Sequence, residues 1–231
     1  MTFNIPNQGE RAAFPLILLG AGGHAKVLVS LVGALGRHFA GVCDPALAAA
    51  GLREWRGLPV LGDDSALERH GPDAFEIVLG LGPIPQSTKR TQLFEMLIDK
   101  GYRIPALAHP DALIDSTTVI EEGAQIMAGS IIQPDCTIGR NAVVNTRASI
   151  DHDSEIGDHS HIAPGAVLCG GVKVRESAFI GASATLLPMV VVGVHGLVAA
   201  GSTLARSLAD GEIYCPHRHA ENANQAILGT D

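Results

Sequence analysis

The stretch NTRASIDHDSEIGDHSHIAPGA, residues 145–166, decides the fold, because an isoleucine returns in it at every sixth position (Ile150, Ile156 and Ile162). An α-helix repeats every 3.6 residues and a β-strand every 2, so neither element has a period of six. The period extends in both directions without a slip, and the aliphatic positions outside the stretch are Ile114, Ile120, Ile126, Ile132, Ile138, Val144, Leu168, Val174, Ile180, Leu186, Val192, Val198 and Leu204. Such a repeat indicates a solenoid.

A prism with three faces explains this period. Each face takes six residues and points one large aliphatic side chain inward. A small residue usually follows four places later, as at Ala124, Cys136, Ala148 and Ser160, and we assign it to the corner where the chain turns. Residues eighteen apart then lie directly above one another, with strands about 4.8 Å apart as in a sheet. We therefore predict a parallel β-helix, whose handedness the period does not give.

The first half of the chain has a different pattern, in which short apolar runs alternate with amphipathic stretches. We predict buried strands at 15–20, 39–44 and 75–82, helices at 24–35 and 87–100, and a short helix with a capping box formed by Ser65 and Glu68. Strands that alternate with helices imply a small parallel sheet. The predicted organisation is therefore a Rossmann-like α/β domain over 1–108 and a β-helix with a C-terminal tail over 109–231.

Composition excludes several kinds of protein. The net charge is −8 and no Lys or Arg cluster is present, which argues against a nucleic-acid binder. No apolar run approaches the roughly 20 residues that span a bilayer, and the N-terminus lacks the apolar region of a signal peptide, so we expect a cytoplasmic protein without membrane insertion. The widely separated Cys43, Cys136, Cys169 and Cys215 argue against a disulfide framework or a zinc ribbon, and we interpret them as small buried residues.

The stretch LLGAGGHAKVLV, residues 18–29, joins the first predicted strand to the first helix. Its Gly20, Gly22 and Ala25 match G-x-G-x-x-G/A, and Asp44 ends the next strand, where an acidic residue can bind a ribose hydroxyl. Glycines let the backbone approach a diphosphate, whose charge is favoured by the helix N-terminus. The alternatives are a turn without a ligand and a dinucleotide oxidoreductase. The domain is too short for both mononucleotide halves, so a nucleotide sugar fits better.

His152 lies two places past the inward Ile150 and is predicted to face outward between Asp151 and Asp153. A carboxylate that accepts from one imidazole nitrogen leaves the other free as a general base. Gly170 lies eighteen residues later, one coil above, where its N–H can reach an oxyanion that develops near His152. The alternative is a zinc site, but the histidine spacing lacks a third ligand, so we predict that no metal is required.

Several of these motifs together resemble a known family. They are GAGGHAK at 20–26, the His109–Pro110 pair before the repeats, and the segment 145–174. They resemble the hexapeptide-repeat sugar acetyltransferases, a family that includes PglD, the sialic acid O-acetyltransferases and perosamine N-acetyltransferase. The resemblance extends from about residue 14 to 208 and implies a left-handed β-helix. It also implies a homotrimer with acetyl-CoA between neighbouring β-helices and a nucleotide-linked sugar on the N-terminal domain.

The same resemblance implies roles for individual residues. His152 would be the catalytic base, Asp153 would orient it, the Gly170 amide would stabilise the oxyanion, and His161 would contact acetyl-CoA. The residues implied to bind the nucleotide are Gly20, Gly22, Gly23, His24, Lys26, Asp44, Gly80 and Gly82. The C-terminal stretch IYCPHRHAENANQ departs from the family pattern. We therefore assign no coenzyme contact there.

We predict an acetyl-CoA-dependent N-acetyltransferase that acts on the C4 amine of a nucleotide-linked 4-amino-4,6-dideoxy sugar in bacterial surface-glycan assembly. The amine attacks the thioester directly, and no covalent enzyme intermediate is required. One alternative is acetylation of a sugar hydroxyl, as in sialic acid modification. The others are a nucleotide-binding scaffold and a metal-dependent hydratase. The sequence leaves UDP, GDP and dTDP open.

Overall fold

The computed structural model describes residues 14–69 and 71–216, which form an α/β domain followed by a parallel β-helix. The predicted fold class is therefore confirmed. The first β-helix strand, Leu107–Ala108, immediately precedes the predicted domain boundary. The ends of both predicted domains, 1–13 and 217–231, with His217 and His219, lie outside the described residues.

The N-terminal domain is a five-stranded sheet with helices around it. Its elements are β1 (Leu16–Leu19), α1 (Gly23–Ala34), β2 (Phe39–Cys43), α2 (Pro45–Ala49), β3 (Glu54–Trp55), β4 (Leu58–Gly62), a 3₁₀ helix (Asp64–Arg69), β5 (Glu76–Leu79) and α3 (Lys89–Asp99). The strand order is β3-β4-β2-β1-β5. Strands β2, β1 and β5 are parallel, as predicted. Strand β4, which was not predicted, is parallel to β2, and β3 is antiparallel to β4.

Two local features of this domain differ from the prediction. The β3–β4 hairpin turns at Arg56 and Gly57, which both have positive φ, 51° and 79°. The two-residue turn is of the kind that closes hairpins. Arg is not a typical residue at the first position of such a turn, so the sequence does not indicate it. The predicted Ser65 cap is wrong, because the Asp63 carboxylate accepts from the Ser65 N–H and hydroxyl instead. The short helix therefore begins one residue before Ser65.

The β-helix consists of two-residue strands that repeat with the predicted period. They are β6 (Leu107–Ala108), β7 (Leu113–Ile114), β8 (Val119–Ile120), β9 (Gln125–Ile126), β10 (Ile131–Ile132), β11 (Thr137–Ile138), β12 (Val143–Val144), β13 (Ser149–Ile150), β14 (Glu155–Ile156), β15 (His161–Ile162), β16 (Val167–Leu168), β17 (Lys173–Val174), β18 (Phe179–Ile180), β19 (Thr185–Leu186), β20 (Val191–Val192), β21 (Leu197–Val198), β22 (Thr203–Leu204) and β23 (Ile213–Tyr214).

These strands form the three faces of a left-handed prism. The first face contains β7, β10, β13, β16, β19 and β22, the second β8, β11, β14, β17 and β20, and the third β6, β9, β12, β15, β18, β21 and β23. Ile132 pairs with Ile150, as the eighteen-residue coil requires. We call the turns from the first to the second face the first edge, those from the second to the third face the second edge, and those from the third to the first face the third edge.

The corners of the prism are built differently from the prediction. The small residues assigned to the turn, such as Ala124, Ala148 and Ser160, are fully buried and point into the core. The turn is made one position earlier, by a residue with positive φ such as Asn141 or Asp153. Asn, Asp and Gly tolerate this conformation best, but residues of other types, such as Arg147, also occupy the corner position. The small side chain leaves room for the inward aliphatics near the corner.

The N-terminal domain packs on the lower coils of the third face. Leu107, Met127 and Val143 on that face share one apolar cluster with β1 and α1. Helix α3 lies along the second edge, where the Glu95 carboxylate is 3.1 Å from His159 Nε2. The upper coils of the third face continue beyond the sheet domain, so a recess forms where the two parts meet. None of the described helices is long and apolar enough to span a bilayer.

Candidate active site

His152 stands on the first edge, in the turn that follows β13. Its side chain is 60% exposed and therefore lies outside the prism, as predicted. Nδ1 is 2.6 Å from Asp153 Oδ2. The Asp151 carboxylate accepts from the backbone N–H of His152 at 2.9 Å and holds the turn. Asp153 has a φ of 58°, so it occupies the corner position.

The two carboxylates set the chemical state of His152. Because a carboxylate only accepts, Nδ1 donates its hydrogen to Asp153 and Nε2 is left without a proton in the neutral ring. The hydrogen bond that His152 donates to Asp153 and then the charge of Asp151 raise the pKa of His152 above its ordinary value. The result is a more basic imidazole with its free lone pair on Nε2.

Gly170 lies directly above His152 on the same edge. A Cβ built on Gly170 falls 2.7 Å from both Cε1 and Nε2 of His152, closer than any side chain tolerates. The imidazole therefore occupies the space that a side chain at position 170 would need. The Gly170 N–H has no acceptor among the described residues, whereas the equivalent N–H of His152 is taken by Asp151. A free backbone N–H beside a basic nitrogen can stabilise a developing oxyanion.

A cavity of about 1000 Å³ opens elsewhere, between the N-terminal domain and the β-helix. Gly23, His24 and Gly82 form its wall on the side of the N-terminal domain. Along the β-helix the lining residues belong to the third face and the third edge, and they include Asn145, His161, Ala163, Phe179, Gly181 and Leu197. The lining is mostly apolar with a few polar groups, as in binding sites for medium-sized ligands.

His161 is the polar group of the third face in this cavity. The ring is 6% exposed and stacks on Phe179 with centroids 4.7 Å apart and an interplanar angle of 7°. Nδ1 is buried without a hydrogen-bond partner. Burial, followed by the charges of His24 and Arg90, lowers the pKa of His161 to about 3. The ring is therefore neutral at physiological pH.

His24 faces His161 from the first turn of α1. Its Nε2 is 2.7 Å from Gln125 Oε1, on β9 of the third face. Burial, followed by the charge of Arg90, lowers the pKa of His24 to about 4, so this ring is also neutral. Arg90 is itself buried and donates to the carbonyl oxygens of Leu79 and Leu81 at 3.1 and 2.6 Å. It remains cationic, since burial lowers the pKa of Arg90 only to about 9.

The glycine-rich turn brings β1, β2 and β5 together below the cavity. Gly20 has a φ of 95°, and a Cβ at Gly80 would lie 2.5 Å from the Gly20 carbonyl oxygen. The Asp44 carboxylate accepts from the N–H groups of Ala21 and of the first turn of α2. These residues fix the shape of the turn. The first N–H groups of α1 carry no side-chain cap, so they are open to an anion.

The predicted site residues thus fall into three places. Gly23, His24, Gly82 and His161 line the cavity, whereas His152, Asp153 and Gly170 stand together on the first edge. Gly20, Gly22, Asp44 and Gly80 shape or cap the turn, and Lys26 is exposed on α1. Cys169 and Cys215 are half-buried, which corrects the expectation that all four cysteines are buried. No group of three metal-ligating side chains occurs within 14–69 and 71–216.

Three residues near the cavity were not predicted: Arg90, Gln125 and Phe179. Gln125 and Phe179 occupy the outward position before the inward aliphatic, where the repeat accepts any residue. Arg90 sits in the first turn of an amphipathic helix, where a basic residue is usually solvated. The repeat could have indicated that positions 125, 143, 161 and 179 share one face, but not that the sheet domain would cover it.

Comparison with known proteins matches both parts of the chain. The PglD N-terminal domain family matches residues 15–97, and the bacterial transferase hexapeptide family (six repeats) matches residues 117–152. A GDP-perosamine N-acetyltransferase of Escherichia coli O157:H7 is 31% identical over 97 residues, which cover 42% of this chain. The chain spans less than half the length of the curated relatives that it matches, 44% for this one.

Solved structures match over more of the chain. One is a histidine-to-asparagine mutant of perosamine N-acetyltransferase from Caulobacter crescentus in complex with CoA and GDP-perosamine. It is 33% identical, with a TM-score of 0.79, over 86% of this chain and 92% of that one. Another is the acetyltransferase domain of PglB from Neisseria gonorrhoeae FA1090 in complex with acetyl coenzyme A. It is 29% identical, with a TM-score of 0.77, over 87% of this chain and 95% of that one. The chain therefore belongs to the hexapeptide-repeat sugar acetyltransferase family with a PglD-type N-terminal domain.

Proposed function

We propose that the protein transfers the acetyl group of acetyl-CoA to the C4 amine of a nucleotide-linked 4-amino-4,6-dideoxy sugar. The observation that carries this proposal is the first edge, where a carboxylate-supported imidazole lies beside Gly170, whose backbone N–H has no acceptor among the described residues. Relatives with CoA, acetyl-CoA and GDP-perosamine bound support the donor and the class of acceptor. Such substrates agree with the expected cytoplasmic location, which stays a prediction.

His152 acts as the general base. The amine nitrogen attacks the thioester carbonyl, so that a C–N bond forms and negative charge develops on the carbonyl oxygen. The Gly170 N–H donates to that oxygen, and Nε2 of His152 takes the proton that the attacking nitrogen loses. The C–S bond then breaks and CoA leaves as its thiolate. Asp153 orients the ring and stabilises the imidazolium that forms.

The cavity provides places for both substrates. The uncapped N–H groups of α1 suit the diphosphate, and Gly23 and Gly82 let the nucleotide sugar approach closely. The apolar upper third face and the small residues of the third edge, such as Ala163 and Gly181, suit the pantetheine arm. His161 lines the same cavity, where its neutral ring can contact acetyl-CoA.

A second copy of the chain completes this site. His152 stands on the first edge, whereas the cavity opens along the third edge. The two edges are separated by the whole first face, roughly 20 Å for six residues at about 3.3 Å each. In a homotrimer the first edge of one chain faces the third edge of the next. Exposed Leu113, Ile131 and Val167 on the first face supply an apolar contact surface.

Acetyl transfer to a sugar hydroxyl is the second candidate, since the same base serves both acceptors. The test is to incubate the wild type with acetyl-CoA and GDP-, UDP- or dTDP-linked 4-amino-4,6-dideoxy sugars, and separately with sialic acid. We expect an N-acetylated product from one nucleotide sugar. His152→Asn should lower kcat by about 10² to 10⁴-fold and leave the KM for acetyl-CoA nearly unchanged.

Other outcomes select other functions. A product from sialic acid alone would support O-acetylation. No binding of acetyl-CoA or CoA by calorimetry would favour a nucleotide-binding scaffold. Turnover of His152→Asn near that of the wild type would remove His152 from the mechanism.

A further inference from the structure

Gln125 connects the two domains at the base of the cavity. It is 2% exposed, although its side chain points outward from the third face, because the N-terminal domain covers it. Its Nε2 donates to the Leu79 carbonyl oxygen at 3.1 Å, at the end of β5. Its Oε1 is 2.7 Å from His24 Nε2, in the first turn of α1. One side chain of the β-helix thus bonds both elements that frame the cavity on the other domain.

These contacts fix the orientation of the Gln125 amide. A backbone carbonyl oxygen only accepts, so the group that faces Leu79 must be the amide NH₂. The amide oxygen then faces His24, and an oxygen only accepts from a ring nitrogen. His24 is neutral, so its hydrogen lies on Nε2 and its Nδ1 is an acceptor. Nδ1 has no partner among the described residues.

We propose that Gln125 is a positioning residue that holds the α1 N-terminus and the end of β5 on the β-helix. Gln125 also fixes His24 as the Nε2–H tautomer. In that tautomer, Nδ1 of His24 accepts from a hydroxyl or N–H group of the bound nucleotide sugar. This inference rests on the proposed function for the identity of the ligand. An ionised diphosphate carries no hydrogen to donate, so His24 contacts the sugar or the base. The backbone N–H groups of α1 are left for the phosphates, which refines the expected role of His24.

Gln125→Met tests the proposal, because Met has a similar length and neither donates nor accepts strongly. The matched control is Gln92→Met, the same replacement at an exposed position of α3. We expect Gln125→Met to raise the KM for the acetylated nucleotide sugar by about tenfold, the loss expected for one or two hydrogen bonds. The kcat and the KM for acetyl-CoA should change less than threefold, and Gln92→Met should match the wild type.

The tautomer is measured separately from activity. In protein labelled with ¹⁵N-histidine, the ring ¹⁵N shifts of His24, assigned by their loss in His24→Asn, should report hydrogen on Nε2 in the wild type. The same shifts should show a mixture of tautomers in Gln125→Met. Melting temperatures establish that each variant is folded.

The two kinds of failure are distinguishable. A wild type that acetylates no nucleotide sugar refutes the proposed function, while the ¹⁵N shifts still test the Gln125–His24 bond. Hydrogen on Nδ1 of His24 in the wild type, or tautomers unchanged by Gln125→Met, overturns the inference. A KM for the nucleotide sugar that does not differ between Gln125→Met and Gln92→Met also overturns it.

Discussion

Gly170→Ala is the most direct test of the arrangement on the first edge. The new Cβ would lie 2.7 Å from Cε1 and Nε2 of His152, whereas ordinary contacts begin at 3.4 Å. The imidazole must therefore move by at least about 0.7 Å. Gly170 is not among the residues with positive φ, so alanine fits its backbone. The perturbation thus displaces the base and leaves the chain conformation intact.

The expected loss follows from that displacement. A misplacement of about 1 Å can cost about 10²-fold in rate, and complete removal of a general base costs about 10² to 10⁴-fold. We expect kcat to fall by about 10²-fold, measured as release of the CoA thiol with saturating substrates. His152 is 60% exposed, so its ring can swing into solvent, and the melting temperature should stay within a few degrees of the wild type.

Gly33→Ala is the matched control. Gly33 lies in the last turn of α1, and a Cβ there meets nothing within 4 Å. Alanine favours a helix over glycine, so this variant should keep full activity and gain about 0.5 to 1 kcal/mol of stability. Wild-type kcat in Gly170→Ala would refute the reasoning, because a base that tolerates this displacement is not the group that takes the proton.

Two further predictions concern protons. Asp153→Asn removes the main cause of the raised pKa of His152, so the acid limb of the pH profile of kcat/KM should move to lower pH. The plateau of kcat/KM should fall, but by less than in His152→Asn. A larger fall than in His152→Asn would reverse the roles of the two residues. Burial lowers the pKa values of His24 and His161 to about 4 and about 3, so the unfolded state binds more protons below pH 6.5. In urea denaturation, these two histidines should together account for about 2 kcal/mol less stability at pH 5.5 than at pH 6.5. The double variant His24→Gln/His161→Gln should lose most of this difference in stability between the two pH values. A decrease equal to that of the wild type would contradict its assignment to these two histidines.

The β-helix could be predicted in detail because its signal is periodic and local. Each inward aliphatic from Ile114 to Leu204 is buried as expected. The corner was misassigned by one residue because the small side chain is a packing requirement, whereas the turn depends on backbone φ. Many residue types reach positive φ in this protein, among them Arg147, His159 and Met189. A varied set of corner residues gives no compositional signal, so the turn position is visible only in the structure.

The sheet domain was predictable in its parallel part and less so elsewhere. Strands β1, β2 and β5 are buried apolar runs, which sequence patterns identify well. Strand β4 alternates half-buried and exposed residues, and the edge strand β3 beside it has only two residues. Helix α2 has five residues without a buried side chain, so no periodicity marks it. Its start depends on the Asp44 cap, which the nucleotide hypothesis had assigned to a ribose.

The candidate site was likewise predictable where the repeat relates its residues, and not where the two domains meet. Residues related by the repeat could be placed relative to each other, and Gly170 does lie above His152. The contacts of His24 depend on how the sheet domain docks on the third face. Docking brings together residues that are far apart in the chain, such as His24 and Gln125, which are 101 positions apart. A single sequence gives no information on which of these residues pair. The pKa values of the buried histidines follow from the same docking and were equally out of reach.

The spacing of the repeat also determines which side chains of one chain can lie close together in the active site. His152 and His161 are nine residues apart, which is one and a half faces of a prism with six residues per face. Two residues with that spacing lie on different sides of the prism in every coil, and no rearrangement within a regular β-helix brings them together. If one group takes the proton and the other contacts the thioester substrate, they must come from different chains. Under the mechanism that we propose, the repeat therefore places half of each active site on a neighbouring copy.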